Sequence, residues 1–167
     1  MLRKTLSMAM ASLVISSSLS AYTASRIYAG VGSNDTVEAG FTLINVPTLT
    51  VGDFNFKKID EDKKLYKGAI FKTFQVVPDE HGVNIGIGVV HSDIYNQTVT
   101  KPSFNFGYEM KDWVIIKGYL ADAENNGIDV EVPLYKTDEF WFNIAASYNE
   151  VQDLEQRNAL VKAYFMF

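Results

Sequence analysis

The chain has 167 residues, 47% hydrophobic and 13% aromatic, with no cysteine, and its 15 Lys+Arg against 20 Asp+Glu give a formal net charge of −5. That length suits one domain with a sizeable core. The acidic balance argues against a nucleic-acid partner, because no basic stretch is present to neutralise phosphates. The missing thiols remove disulfide frameworks, thiolate metal sites and cysteine nucleophiles together.

Residues 1–21 read as a secretory signal, with residues 22–167 as the mature domain. Arg3 and Lys4 give a positive start, the run from Leu6 to Ile15 is mostly apolar, and the small residues Ser16, Ser17, Ser18, Ser20 and Ala21 follow. Cleavage is expected after Ser20 or Ala21. The apolar run is about ten residues, half of what a spanning helix needs. Removal of this segment leaves 13 basic and 20 acidic residues.

The remainder has a period of two, which places alternate residues on one face of a strand and cannot do so on a helix. In chain order, Ile27, Ala29 and Val31 oppose Arg26, Tyr28 and Gly30, and Val37, Ala39, Phe41 and Leu43 oppose Glu38, Gly40 and Thr42. From Thr48 to Lys57 the apolar parity changes, from Leu49 and Val51 to Phe54 and Phe56. A β-bulge at Gly52 is the expected cause. Tyr66, Gly68, Ile70, Phe74 and Val76 share a face on which Lys72 is a misfit. Val83, Ile85, Ile87 and Val89 come next, then Phe104, Phe106 and Tyr108. Val114, Ile116, Gly118 and Leu120 alternate with Trp113, Ile115, Lys117 and Tyr119. Ile128, Val130, Val132 and Leu134 form an eighth run, Phe140 to Tyr148 a ninth, and Ala159 to Phe167 a tenth. Short groups of turn residues separate them, among them Ser33-Asn34-Asp35, Met110-Lys111 and Thr137-Asp138. Ten strands at about fifteen residues each match strands of ~9–11 residues with short loops. An eight-stranded count is the alternative and would spend 26–57 on one strand and a long loop.

Alternation alone does not say whether the apolar face meets lipid or a core, and a soluble exported β-sandwich would show it too. The opposite parity is rich in small and amide residues, including Gly86, Gly88, Asn84, Asn105, Gly107, Asn143 and Ser147, which suit the crowded interior of a narrow closed barrel. Aromatics gather near strand ends, with Tyr108, Tyr135, Phe140, Phe165 and Phe167 toward one rim and Tyr119 and Tyr148 toward the other. Such girdles are expected at headgroup depth. An open sheet in lipid would leave edge N–H and C=O groups unpaired, so the pattern predicts an all-β fold, a closed antiparallel up-and-down transmembrane barrel.

The chain stops on Phe167, with Phe165, Ala163 and Val161 at alternating positions before it. In this it resembles the small outer-membrane β-barrels of Gram-negative bacteria, whose last strand typically ends on phenylalanine. The resemblance implies that Val161, Ala163, Phe165 and Phe167 form a signal read by the outer-membrane barrel assembly machinery. It also implies that both chain ends lie in the periplasm and that the partner along the wall is outer-membrane lipid. On that orientation the outer loops are expected at Ser33 to Asp35, Lys58 to Lys63, Ser92 to Val99, Ala123 to Gly127 and Glu150 to Arg157. All are short, which weakens a loop-based binding role.

Inside the barrel, Arg26, Glu38, Lys67, Glu109, Lys117, Asp129, Glu131 and Lys162 are expected to form a cross-lumen network, joined by Asn84, Asn105, Asn143 and Asn158. Acids and bases are matched, and an unpaired buried charge is costly. A plugged barrel with a structural or envelope-integrity role is therefore the leading reading. A narrow pore for ions or small solutes is the rival, although aqueous channels belong to barrels of many more strands. An outer-leaflet lipid hydrolase needs a His beside a Ser. His91 lies on the lipid-facing parity, but lipid A deacylase barrels, which it resembles in placing a His near the outer leaflet, carry the Ser two positions on, where this chain has Asp93. Ser92 points the other way. His81 reads as a solvated turn residue and Asp60-Glu61-Asp62 as a solvated loop tip, so no metal site and no cofactor is expected.

Overall fold

The computed structural model describes residues 23–45, 48–60, 62–77 and 81–167. The expected signal, residues 1–21, lies outside them. Ten strands follow one another: β1 (Thr23–Gly32), β2 (Val37–Asn45), β3 (Thr50–Asp60), β4 (Lys63–Val77), β5 (His81–Ile94), β6 (Gln97–Met110), β7 (Val114–Asp122), β8 (Asn125–Lys136), β9 (Phe140–Val151) and β10 (Leu154–Met166). Each pairs antiparallel with its sequence neighbours, and β1 pairs with β10 to close the barrel. The seam runs from Arg26 opposite Met166 to Gly32 opposite Leu160. It is completed by Ser25 and Phe167, each of whose N–H groups donates to the other's carbonyl, at 3.0 and 3.1 Å. No sheet edge remains along this seam, so the backbone groups that an open sheet would strand are paired.

The end holding Thr23 and Phe167 is called the near end here, and the opposite end the far end. Three far-end hairpins turn on two residues with positive φ: Asn34 and Asp35, Tyr95 and Asn96, Gln152 and Asp153. Such turns match the right-handed twist of the flanking strands. Consequently the far-end loops are shorter than the residue chemistry suggests. The expected loops Ser92 to Val99, Ala123 to Gly127 and Glu150 to Arg157 each shrink to two residues, because the strands continue through polar side chains that pair on the barrel wall. At the near end Trp113, expected on a strand, sits instead in the β6–β7 turn and is 73% exposed.

The bulge expected at Gly52 is absent. Register across β2 and β3 runs unbroken from Val37 opposite Lys58 to Asn45 opposite Thr50, with Gly52 opposite Leu43. The apparent change of parity has another cause. Val51 lines the barrel interior together with Ile44 and Asp53, so the interior itself is apolar at that level. The irregularity of β3 falls at its far end, between Lys58 and Asp60. Lys72, the misfit, does point outward, and its ammonium reaches down to the Thr48 carbonyl in the β2–β3 turn. A long side chain can thus keep its charge at the rim while its stem covers apolar wall.

The two faces of the wall are inverted relative to a water-soluble fold. Ile87, Leu134 and Phe165 are 75%, 59% and 54% exposed on the outside. Lys57, Lys162, Glu38, Glu131 and Asn143 are buried inside. The inner face of β5 carries Gly86 and Gly88 because β4 passes close by. A Cβ there would lie 2.2 Å from the Ile70 carbonyl oxygen and 2.3 Å from that of Gly68. Backbone cannot yield as a flexible side chain does. Gly88→Ala is therefore expected to cost about 1–3 kcal/mol by overpacking, read as a lower urea midpoint of the folded barrel. An unchanged midpoint would mean that the wall moves aside freely.

Candidate functional site: the barrel lumen

Three levels of side chains occupy the lumen. The middle level is an alternating chain of charges. Lys67 Nζ lies 3.1 Å from Asp129 Oδ2, and Asp129 Oδ1 lies 3.2 Å from Lys57 Nζ. Lys57 reaches Glu38 Oε2 at 3.2 Å, and Glu38 Oε1 meets Lys162 Nζ at 2.8 Å. Lys162 then reaches Glu131 Oε1 at 2.9 Å. Glu131 Oε2 accepts from Tyr164 at 2.5 Å and from Asn143 at 3.0 Å. Asn55 Nδ2 donates to Glu38 Oε1 at 2.7 Å and to the Tyr28 hydroxyl at 2.6 Å. The Tyr28 and Tyr164 rings stack at 4.9 Å. Three lysines face three carboxylates, so the group is neutral as a whole, and its members come from β2, β3, β4, β8 and β10. Most of the lone pairs and N–H groups of these charges have partners, which is the condition under which burying them is tolerable. The void beside them measures about 30 Å³, room for water and little else.

Strand geometry explains why these residues meet. Glu38, Asp129, Glu131 and Lys162 all occupy the parity opposite the exposed Val37, Ile128, Val132 and Val161, so their side chains converge on the axis. The eight expected residues separate into two groups. Glu38, Lys67, Asp129, Glu131 and Lys162 are joined in the middle level. Arg26, Glu109 and Lys117 lie lower, toward the near end, where Arg26 pairs with Glu109 at 3.9 Å and Lys117 with Asp53 at 3.8 Å. Of the amides, Asn143 joins the middle chain. Asn105 donates to Ser103, Asn158 accepts from Thr36 Oγ1 at 3.0 Å, and Asn84 accepts from Thr73 Oγ1 at 2.6 Å.

Two charged members escaped the sequence reading, as did Asn55, Tyr28 and Tyr164. Lys57 was placed at the end of its segment, next to an expected loop, but β3 continues to Asp60 and carries Lys57 into full burial. Asp53 stood beside the expected bulge at Gly52, which left its face undefined. The signal for both was the unbroken alternation Val51, Asp53, Asn55, Lys57.

Toward the far end the lumen holds an apolar cluster beside the buried amides Asn125, Asn149, Gln156 and Asn158. Ile59, Leu65, Val90, Ile94, Tyr119 and Val151 pack together, with Leu154 against them. Tyr119, expected on the outer rim, is one of these. It shares the inward parity of Lys117, and its hydroxyl donates to Asn149 at 3.3 Å while Lys67 lies 5.0 Å above its ring. Over this cluster Gln152, in the β9–β10 turn, donates from Nε2 to Ser92 Oγ at 2.8 Å and to the Gln97 carbonyl at 3.3 Å, tying opposite walls across the mouth. The β6 strand outgrows its neighbour here, since pairing with β7 stops at Phe104 opposite Leu120. Pro102, which has no N–H to offer, sits in that unpaired stretch. Lys101 forms an ion pair with Asp122 across the gap.

Toward the near end the lumen opens into a cavity of about 370 Å³. At its mouth Lys136 donates to Asp112 Oδ1 at 2.7 Å, and this hydrogen bond holds the Asp112 carboxyl below its usual range.

The histidines do not form a catalytic pair. His91 Nδ1 bonds Thr100 Oγ1 at 2.7 Å on the outside of the wall, while Ser92 is buried inside. His81 opens β5 and bonds the Tyr108 hydroxyl at 2.8 Å, which makes it part of the near rim and not a solvated turn residue. Among the described residues no group of three or more His, Asp or Glu is placed to hold a metal ion.

No protein-family model and no curated protein sequence matches the chain. Two solved structures align with it in overall shape. One is the N-terminal β-barrel domain of Pseudomonas aeruginosa OprF, at 9% identity and a TM-score of 0.40, covering 87% of this chain and 96% of that one. The other is a de novo designed transmembrane β-barrel, at 8% identity and a TM-score of 0.34, covering 87% and 94%. This chain is itself a closed antiparallel barrel of ten strands, all β, and that description rests on its own strand order.

Proposed function

We propose that the chain is an integral outer-membrane β-barrel protein with a plugged lumen and a structural, envelope-integrity role. It is exported by residues 1–21 and delivered to the barrel assembly machinery by Val161, Ala163, Phe165 and Phe167. The observation that carries this reading is the inversion of the wall, with an apolar outer belt around a charged, hydrogen-bonded interior. In water such a belt would be an aggregating surface far larger than soluble monomers expose. In a bilayer it is the required one, and closure meets the demand that every backbone group be paired. The aromatics fit the same frame. Phe140 packs edge-on against Phe165 at 5.1 Å at the near rim, while Tyr66 and Tyr148 lie toward the far rim. The filled middle level and the far-end cluster support a structural role over conduction, because a path would have to break ion pairs and part packed apolar side chains.

The protein refolded in detergent is expected to migrate faster on unheated gels than after boiling, and to give no stepwise conductance in planar bilayers. A species that stays soluble and folded without detergent would overturn the membrane reading. Discrete openings would replace the plugged barrel with a pore.

A further inference from the structure

The near-end cavity has a chemistry that the structural role does not use. It is divided. One wall, from β2 to β4, presents Ile44, Leu49, Val51 and Phe71, with the polar Asp53 and Thr73 among them. Arg26, on β1 beside that wall, extends its guanidinium over Trp141 of β9, Lys117 stands on β7, and Lys111 and Lys136 lie nearer the mouth. Against these four cations stand Asp53 and Glu109 in the cavity and Asp112 on Lys136, leaving one positive charge over.

The two deeper cations are held loosely. Arg26 and Lys117 stand 3.9 and 3.8 Å from their carboxylates, beyond hydrogen-bond reach, and Asp53 already accepts from Thr42 Oγ1 at 2.6 Å. Arg26 Nε is buried and has no hydrogen-bond partner among the described residues. Its guanidinium lies 4.5 Å over the Trp141 ring, which also carries Lys136 at 4.2 Å. This is a donor set positioned by packing but not saturated, facing an apolar wall across a cavity within the ~300–1,000 Å³ range of small-molecule sites. The middle level closes its floor.

We propose that this cavity binds a single-chain carboxylate of medium length. The carboxylate accepts from Arg26 and Lys117, and the chain lies against Ile44, Val51 and Phe71. One uncompensated positive charge favours a monoanion, and Asp53 and Glu109 repel a dianion. A head without a chain leaves the apolar wall wet, and a chain without a head leaves the donors unpaired.

The protein has two tryptophans, and Trp113 lies on the exposed turn, so Trp113→Phe leaves Trp141 as a reporter inside the cavity. The experiment titrates octanoate, below its micellar range, into this variant folded in lipid nanodiscs, taking only preparations whose unheated gel mobility marks them as folded. A failure to fold would then be counted against the membrane barrel and not against the ligand site. A saturable change in Trp141 emission is expected, with at least tenfold weaker binding when Arg26→Gln and Lys117→Gln are combined. Lys101→Gln, at the far end, is the control and should bind as the parent does. Acetate and 1-octanol should each bind at least tenfold more weakly than octanoate. Equal binding of acetate would reduce the site to a general anion contact. Equal binding of octanol, or a linear response that the double variant shares, would reduce it to partitioning into lipid. Any of these, or no response at all, overturns the proposal.

Discussion

Replacing Lys162 by methionine is expected to cost the barrel about 3–5 kcal/mol, the range for removing one partner of a buried ion pair. Lys162 stands between Glu38 and Glu131 at 2.8 and 2.9 Å and is 1% exposed, so the change leaves two buried carboxylates without their shared cation. The void of about 30 Å³ beside it admits only isolated water, a weaker partner for two carboxylates than the ammonium. The loss should be read as a fall in the urea midpoint of the protein folded in vesicles, followed by unheated gel mobility. Adding Glu38→Gln and Glu131→Gln to the same variant should recover part of the loss, since neutral groups in that position are cheaper to bury than unpaired ions. A single variant within ~1 kcal/mol of the parent would show that the charges are solvated, as they would be in an open channel.

Ile87→Lys carries the second large effect and tests the surroundings of the wall rather than its filling. Ile87 is the most exposed of the large apolar side chains named on the outer face and lies midway along β5, opposite Ile70 on β4 and Phe104 on β6. A lysine facing lipid at mid-depth costs about 2–4 kcal/mol, falling toward zero near the interfaces. On a surface bathed in water the same change would be worth no more than about 0.5 kcal/mol. The expected result is a clear drop in the folded fraction in vesicles, with a much smaller drop for a lysine near the rim, as the native Lys72 already illustrates. Equal, negligible effects at both depths would place water and not lipid against the belt.

The strand count and the inside-out sorting of residues were legible because period-two alternation survives in nearly every strand. Isoleucines 85 and 87 against glycines 86 and 88 show it most simply. What was not legible depended on how strands from distant parts of the chain converge. Val51 looks like a break in the pattern until β2 and β4 are seen to place Ile44 and Phe71 at the same level, making the interior locally apolar. Tyr119 looks like a girdle residue until the far end of the lumen is seen to be filled with Leu65, Val90 and Val151. Lys57 looks like loop chemistry, since its charge partners Glu38 and Asp129 are 19 and 72 positions away. Charge type and parity could nominate members of the lumen set, but only the closed register could divide them into a saturated middle group and a looser group below it.

The seam between β1 and β10 has a consequence for how the chain must fold. Its pairs join residues separated by nearly the whole described length, Arg26 with Met166 and Ser25 with Phe167. No shorter contact can stand in for them, because every other pairing in the wall joins strands adjacent in sequence. The barrel therefore consists of nine local hairpin steps and one closure of very high sequence separation. Loop-closure entropy must be met at that last step, before its hydrogen bonds repay it, and such topologies are slow to form. Until then β1 and β10 are both open edges. Because β10 follows the other nine strands in the chain, closure cannot begin until β10 is present, and the β1 edge must be kept from pairing with other chains until then.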